Sequence, residues 1–136
     1  MILSIHTDGG SRGNPGPSAI GVVVEHDGEV IHTISRFLGT QTNNVAEYTA
    51  VLSALDYLAS LPSPAPKQAN FFLDSLLVVS QILGTFAVKN AQMQELHSQV
   101  RLKLQSLPFP VTFKYVPRAQ NSAADALVNK ALDENT

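Results

Sequence analysis

The chain has 136 residues, 44% of them hydrophobic, which is enough for a single domain over residues 1–136 whose core needs no cross-links. It contains no cysteine, which excludes disulfides and thiolate metal sites and leaves oxygen or imidazole groups as metal ligands. A formal net charge of −2 argues against a protein that holds nucleic acid through bulk electrostatic attraction alone.

The first part of the chain predicts three strands. Residues 2–7 form an apolar run that is too short for a signal peptide or a membrane span, so we expect a soluble, cytoplasmic protein without a membrane partner. The turn-forming residues 8–17 predict an irregular loop after this strand. Two more apolar runs, 19–25 and 29–37, flank the Asp27-Gly28 pair, which is a strong hairpin signal. The three strands are therefore expected to be antiparallel neighbours.

The rest of the chain predicts helices that alternate with two further strands. From Asn43 onward, apolar residues recur at steps of three and four, which predicts a helix of about four to five turns. The other predicted elements are a strand over 70–74, a helix over 75–83, a helix over about 91–106, a strand over 111–116 and a helix from about Asn121. This order predicts an α/β fold with a five-stranded mixed sheet, in which three antiparallel strands are followed by two parallel ones, and helices on both faces.

Four acidic residues lie at the ends of predicted elements, and each has an ordinary structural explanation when it is considered alone. Asp8 could be a turn residue. Glu47 could complete a capping box with Asn44. Asp74 could be a helix N-cap, and Asp125 could complement a helix dipole.

The predicted topology, however, brings the four acids to one edge of the sheet. Asp8 and Asp74 end two strands that are expected to be adjacent and parallel, and ligand sites in open α/β sheets form at that edge. Glu47 and Asp125 each flank the buried stripe of a helix near its N-terminus. Four converging carboxylates without enough nearby Lys or Arg would repel one another, which predicts a site for divalent cations such as Mg²⁺. Two such ions about 4 Å apart could drive in-line phosphoryl transfer.

Four motifs, in register, resemble the ribonuclease H family, type 1. They are TDGGSRGNPG (7–16), TNNVAE (42–47), FLDS (72–75) and NSAAD (121–125), and the resemblance runs from about residue 2 to residue 133. It implies a ribonuclease H-like domain that acts as an endonuclease on the RNA strand of RNA/DNA hybrids and leaves a 5′-phosphate and a 3′-hydroxyl. It also implies that two Mg²⁺ ions, for which Mn²⁺ could substitute, are ligated by the catalytic residues Asp8, Glu47, Asp74 and Asp125.

The resemblance further implies a set of residues that contact ribose 2′-hydroxyls across the minor groove, where the hydroxyl distinguishes RNA from DNA. The members of this set are Gly9, Gly10, Asn14, Thr42, Asn43 and Glu47. For Asn14 and Asn43, roles in a turn or a helix cap are about equally good explanations.

Two features depart from the family's common pattern. Many members carry a basic, tryptophan-containing helical protrusion that grips the hybrid, whereas segment 84–90 has one lysine and no tryptophan. This resembles a short form without the protrusion, for which we expect weaker and salt-sensitive substrate binding. The family's usual histidine after the fifth strand is also missing, and Arg118 stands in that loop. We expect Arg118 to have a catalytic role in place of this histidine, and contact with phosphate alone is the alternative.

The main alternative is a catalytically silent or accessory nucleic-acid-binding module of the same fold. The four intact acids argue against it, because a degenerate copy would tend to have lost one. A third possibility is that the same site acts on another phosphoester, since this fold also hosts transposases, resolvases and exonucleases. No obligatory protein partner is inferred from the sequence.

Overall fold

The computed structural model describes all 136 residues and contains five strands, four α-helices and a short 3-10 helix at Arg118–Asn121. The strands are β1 (Ile2–Ser11), β2 (Gly16–His26), β3 (Glu29–Gln41), β4 (Gln68–Leu73) and β5 (Val111–Tyr115). The helices are α1 (Asn43–Ala59), α2 (Leu76–Leu83), α3 (Ala91–Ser106) and α4 (Ser122–Asn135).

The strands form one mixed sheet in the order β3-β2-β1-β4-β5. β2 is antiparallel to both β1 and β3, while β4 is parallel to both β1 and β5. The predicted fold class, with three antiparallel strands followed by two parallel strands, is confirmed.

Helices cover both faces of this sheet. The main core contains 20 buried residues and lies between the sheet and α1, with α3 packed beside α1. A smaller buried cluster lies under α4 and includes Ala19 and Val128. Alternate residues of a strand point to opposite faces, so Val22 and Val24 enter the main core while Ala19 contacts α4.

The first strand is longer than predicted. We expected an irregular loop from Asp8 onward, but β1 continues to Ser11, and Gly9, Gly10 and Ser11 pair with β2. Gly9 is required by close packing rather than by a turn, since a Cβ atom there would lie 2.2 Å from the carbonyl carbon of Ala46 in α1. The irregular loop is therefore confined to residues 12–15.

The segment between α2 and α3 contains no helix. α2 ends at Gly84, whose φ of 85° is easily adopted by glycine, and α3 begins after its N-cap Asn90. Seven residues therefore join the two helices where a helical protrusion could be inserted. No helix of the chain combines the length and the apolar character needed to cross a membrane.

Candidate active site

The parallel pairing of β1 with β4 ends at the site. The last paired residues are Thr7 and Leu73, so Asp8 and Asp74 come next on these two neighbouring segments of the chain. They line a polar cleft of about 410 Å³ at this edge of the sheet. Glu47 from α1 and Asp125 from α4 line the same cleft, so the four predicted acids are brought together.

Three of the acids form a tight cluster. One carboxylate oxygen from each of Asp8, Glu47 and Asp74 can be chosen so that the three atoms lie within 4.8 Å of one another. Asp8 and Glu47 are almost fully buried, with exposed fractions of 6% and 4%, and Asp74 is half-buried. One oxygen of Glu47, Oε1, accepts a hydrogen bond from the backbone N–H of Gly9 at 3.2 Å. The other oxygen, Oε2, is buried without any hydrogen-bond partner.

The ordinary explanations for two of these acids are wrong. Glu47 does not complete a capping box, because the N-cap of α1 is Thr42, whose Oγ1 accepts from the N–H of Val45 at 3.3 Å. Asp74 is not an N-cap, because Ser75 caps α2 and accepts from the N–H of Val78 at 3.2 Å.

The explanations for the other two acids have different outcomes. Asp8 is not a turn residue, because it lies within β1 and pairs with Gly21 of β2. Asp125 does lie in the first turn of α4, where its charge complements the helix dipole, but it also faces the cleft.

The cluster is electrostatically strained in the absence of a cation. Burial, together with the charges of Asp74 and Asp125, raises the pKa of Asp8 to about 7. Burial, together with the charge of Asp8, raises the pKa of Glu47 well above its ordinary value. Burial also raises the pKa of Asp74, although the nearby positive charge of Arg118 opposes this effect. The cleft therefore favours any ligand that brings positive charge.

α4 reaches the cleft because of two residues that our sequence reasoning did not single out. A Cβ atom at Gly21 would lie 2.1 Å from the carbonyl oxygen of Ala124, so only glycine lets the helix approach β2 this closely. The buried Asn121 donates from Nδ2 to the carbonyl oxygen of Thr7 at 2.9 Å. This bond joins the start of α4 to the residue before Asp8. Asn121 lies within the NSAAD motif, which was the available signal.

Arg118 lies in the 3-10 helix before α4, where its exposed side chain lines the cleft. Its positive charge partly offsets the rise in the pKa of Asp74 that burial causes. The predicted cationic residue is therefore placed beside the acid cluster.

The residues predicted to contact ribose hydroxyls fall into two groups. Gly9, Gly10 and Asn43 line the cleft, as Glu47 does. Thr42 and Asn14 do not line the cleft: Thr42 caps α1, and Asn14 Oδ1 accepts from the backbone N–H of Asn43 at 3.0 Å.

The acids in the cleft fit a hard divalent cation. All four offer only oxygen ligands, and none forms an ion pair with Lys or Arg within 4.0 Å. The buried Glu47 Oε2, which has no partner, is costly unless a donor or a cation satisfies it. Carboxylate oxygens in this number and spacing suit Mg²⁺ or Mn²⁺.

Comparison with known proteins assigns the chain to a family. Residues 6–131 match the family model described as reverse transcriptase-like. The chain is 39% identical over 136 residues to the bifunctional protein Rv2228c of Mycobacterium tuberculosis, a match that covers 98% of this chain and 36% of that protein. It is 37% identical over 128 residues to ribonuclease HI of Halobacterium salinarum, with 93% of this chain and 62% of that protein covered. The chain thus spans about a third of the mycobacterial relative's length.

A solved structure resembles the whole fold. The structure of LC11-RNase H1 in complex with RNA/DNA hybrid superposes with a TM-score of 0.92 at 36% identity, and the match covers 97% of each chain. The matched family model, the relatives and this structural agreement together confirm the resemblance that the four motifs indicated: the chain belongs to the ribonuclease H family, type 1.

Proposed function

We propose that the protein is an endonuclease that hydrolyses the RNA strand of RNA/DNA hybrids by a two-metal-ion mechanism, leaving a 5′-phosphate and a 3′-hydroxyl. The observation that carries the proposal is the cluster of Asp8, Glu47 and Asp74, with oxygens within 4.8 Å of one another and a buried Glu47 oxygen that lacks a partner. Support also comes from a relative named ribonuclease HI and from the LC11-RNase H1 structure that holds a hybrid.

The four acids would hold two Mg²⁺ ions, for which Mn²⁺ could substitute. When bound, such ions supply Lewis-acid stabilisation of the phosphate and activation of the attacking water. The protein's part is to fix the carboxylates in advance. The hydrogen bond from Gly9 holds one oxygen of Glu47 and leaves the other for a cation, while Asp125 approaches from the opposite face of the sheet on α4.

Arg118 would act on the product. Its guanidinium stays protonated near neutral pH and cannot serve as a general base, so its contribution is electrostatic. From its exposed position in the 3-10 helix near Asp74, this charge can draw the new 5′-phosphate away from the acid cluster.

Recognition of RNA would come from the edge of the cleft formed by Gly9, Gly10, Asn43 and Glu47. Thr42 and Asn14 are also proposed to contact hydroxyls, since each keeps a donor that no protein group uses, the Thr42 hydroxyl hydrogen and Asn14 Nδ2. These contacts would require a 2′-hydroxyl on one strand only, which matches a hybrid.

One assay tests this proposal against the silent binding module. Purified protein is incubated in Mg²⁺ with end-labelled RNA/DNA, RNA/RNA and DNA/DNA duplexes of the same sequence. We expect cleavage of the RNA strand of the hybrid alone, and fragments that a 5′-phosphate-dependent exonuclease degrades. Asp8→Asn and excess chelator should both abolish cleavage. Binding without cleavage would support the silent module, and equal cutting of DNA/DNA would contradict the proposed specificity.

A further inference from the structure

Asp125 differs from the other three acids in how its carboxylate is held. Asp8, Glu47 and Asp74 are packed together in the cluster, whereas Asp125 lies outside it, in the first turn of α4. A side chain in this setting keeps rotamer freedom that a packed cluster member has lost. A carboxylate that must occupy a defined place therefore needs a neighbour to restrict it.

Asn129 is such a neighbour. It lies one turn further along α4 and donates from Nδ2 to Asp125 Oδ2 at 3.3 Å and to the carbonyl oxygen of Asp125 at 3.2 Å. Residues four apart on a helix lie on the same face, so the two side chains meet without any distortion. Asn129 also lines the cleft that contains the acids.

Arg12 determines which way the amide of Asn129 points. Its Nη2 atom lies 3.5 Å from Asn129 Oδ1 and 2.6 Å from Asp133 Oδ1. A guanidinium can only donate hydrogen bonds, so the oxygen of Asn129 has to face Arg12 and its NH₂ group has to face Asp125. The ion pair with Asp133 keeps Arg12 beside α4. The four side chains thus form a hydrogen-bonded series that ends on the Asp125 carboxylate.

We propose that Asn129 is a positioning residue for Asp125 and that Arg12 keeps it in the required orientation. The inference rests on the proposed function, in which Asp125 helps to hold divalent cations. Asn129 acts by limiting the Asp125 carboxylate to one rotamer before the cation arrives. Mutation of a group that orients a metal ligand in this way typically lowers metal affinity or activity by about 10-fold to 100-fold.

Asn129→Ala tests the proposal, with Asn135→Ala as a matched control. Asn135 is another exposed amide on α4 that donates to a carbonyl four residues earlier, that of Ala131 at 2.7 Å, but it does not line the cleft. Alanine has a higher helix propensity than asparagine, so neither variant weakens α4. Mg²⁺ binding is measured by calorimetry without nucleic acid, and the Mg²⁺ dependence of hybrid cleavage is measured in parallel.

We expect Asn129→Ala to weaken Mg²⁺ binding by about tenfold and to regain most of its cleavage rate at high Mg²⁺. Asn129→Gln should restore part of the affinity, because it retains the amide. Asn135→Ala should match the parent in both measurements. Equal Mg²⁺ affinity in the two alanine variants would overturn the proposal.

Arg12→Ala separates positioning from direct contact with nucleic acid. It leaves Asn129 in place but free to flip, so Mg²⁺ binding should weaken, by less than in Asn129→Ala, while KM for the hybrid stays unchanged. A raised KM with unchanged Mg²⁺ affinity would remove Arg12 from the positioning series. A parent protein that cleaves no hybrid would contradict the proposed function, whereas the calorimetric comparison would still decide the role of Asn129.

Discussion

The backbone N–H of Gly9 donates to Glu47 Oε1. At the same point β1 and α1 approach so closely that a Cβ atom on Gly9 would lie 2.4 Å from the backbone nitrogen of Glu47. One residue of β1 therefore sets both the position of α1 and the direction of the Glu47 carboxylate. The requirement for glycine here is steric.

Gly9→Ala should damage stability and activity together. The added methyl group meets backbone atoms, which cannot rotate away, so α1 has to shift and the free energy of unfolding should fall by about 3 kcal/mol. Gly10→Ala is the matched comparison, because its methyl group would meet only the Val128 side chain, at 3.3 Å. Gly10→Ala should lower the free energy of unfolding by about 1 kcal/mol or less. Urea denaturation of both variants measures the difference, and equal losses would show that the close approach to α1 is unimportant.

Asp8→Asn should stabilise the metal-free protein at neutral and alkaline pH. The pKa of Asp8 rises from 3.8 to about 7 on folding, so the folded state binds more protons than the unfolded state at pH values between these two pKa values. The free energy of unfolding therefore falls as the pH rises from about 4 to about 7. Asp8→Asn removes the charge and should therefore raise the free energy of unfolding by about 2 kcal/mol above about pH 7. This gain is smaller than the full pKa shift implies, at about 1.4 kcal/mol per pKa unit, because the buried amide must also be desolvated.

This gain is measured by urea denaturation in chelator at about pH 4 and about pH 8. Asp8→Asn should gain stability only at the higher pH, and its stability should depend less on pH between the two. Glu29→Gln changes an exposed acid at the start of β3 and serves as the control. A destabilised Asp8→Asn protein at the higher pH would mean that the carboxylate has a structural role.

Mg²⁺ affinity should increase with pH up to about the pKa of Asp8. A carboxylate must be deprotonated before it ligates a cation, and the raised pKa values of Asp8 and Glu47 keep protons in the cleft near neutral pH. Binding should therefore release protons, and calorimetry in buffers of different ionisation enthalpy will count them. Identical apparent enthalpies in all buffers would contradict this expectation.

Ca²⁺ should bind the cleft without supporting turnover. It accepts oxygen ligands as readily as Mg²⁺ but prefers more of them at longer distances, so the near-octahedral arrangement is lost. Ca²⁺ should therefore compete with Mg²⁺ in a cleavage assay and raise the Mg²⁺ concentration needed for half-maximal rate. Normal rates in Ca²⁺ alone would argue against the two-metal mechanism.

Arg118→Ala should lower the steady-state rate more than the rate of the first turnover. We expect the steady-state rate to fall by about 10-fold to 100-fold, equivalent to about 1.4 to 2.7 kcal/mol, because the Arg118 guanidinium acts mainly on departure of the product. Arg118→Lys should recover part of the rate and Arg118→Gln should not. If Arg118→Ala equals the parent in both single-turnover and steady-state assays, the side chain has no part in catalysis.

Much of the fold could be predicted because its signals are local. The recurrence of apolar residues after Asn43 predicted α1, and the Asp27-Gly28 turn predicted the β2–β3 hairpin. The extension of β1 to Ser11 was missed because glycines normally indicate a loop, and only pairing with β2 makes Gly9 and Gly10 part of a strand.

The convergence of the four acids in one cleft could also be predicted, but not the groups that hold them. The hydrogen bonds from Gly9 to Glu47 and from Asn121 to Thr7 join residues far apart in the sequence, and no pattern in the chain indicates such pairs. Even Asn129, which is close to Asp125 in sequence, depends on Arg12 from the other end of the chain for its orientation. These relationships exist only once the sheet has formed.

The position of Asp125 on α4, the last helix, has a consequence for synthesis of the protein. Asp8, Glu47 and Asp74 leave the ribosome first, whereas the fourth acid is synthesised only after the residues of β5 and the 3-10 helix. α4 also covers the second face of the sheet, so the nascent chain exposes Ala19 and Phe37 until that helix docks. The complete set of acids and the closed core therefore both depend on α4, and a translation product truncated before α4 would have neither.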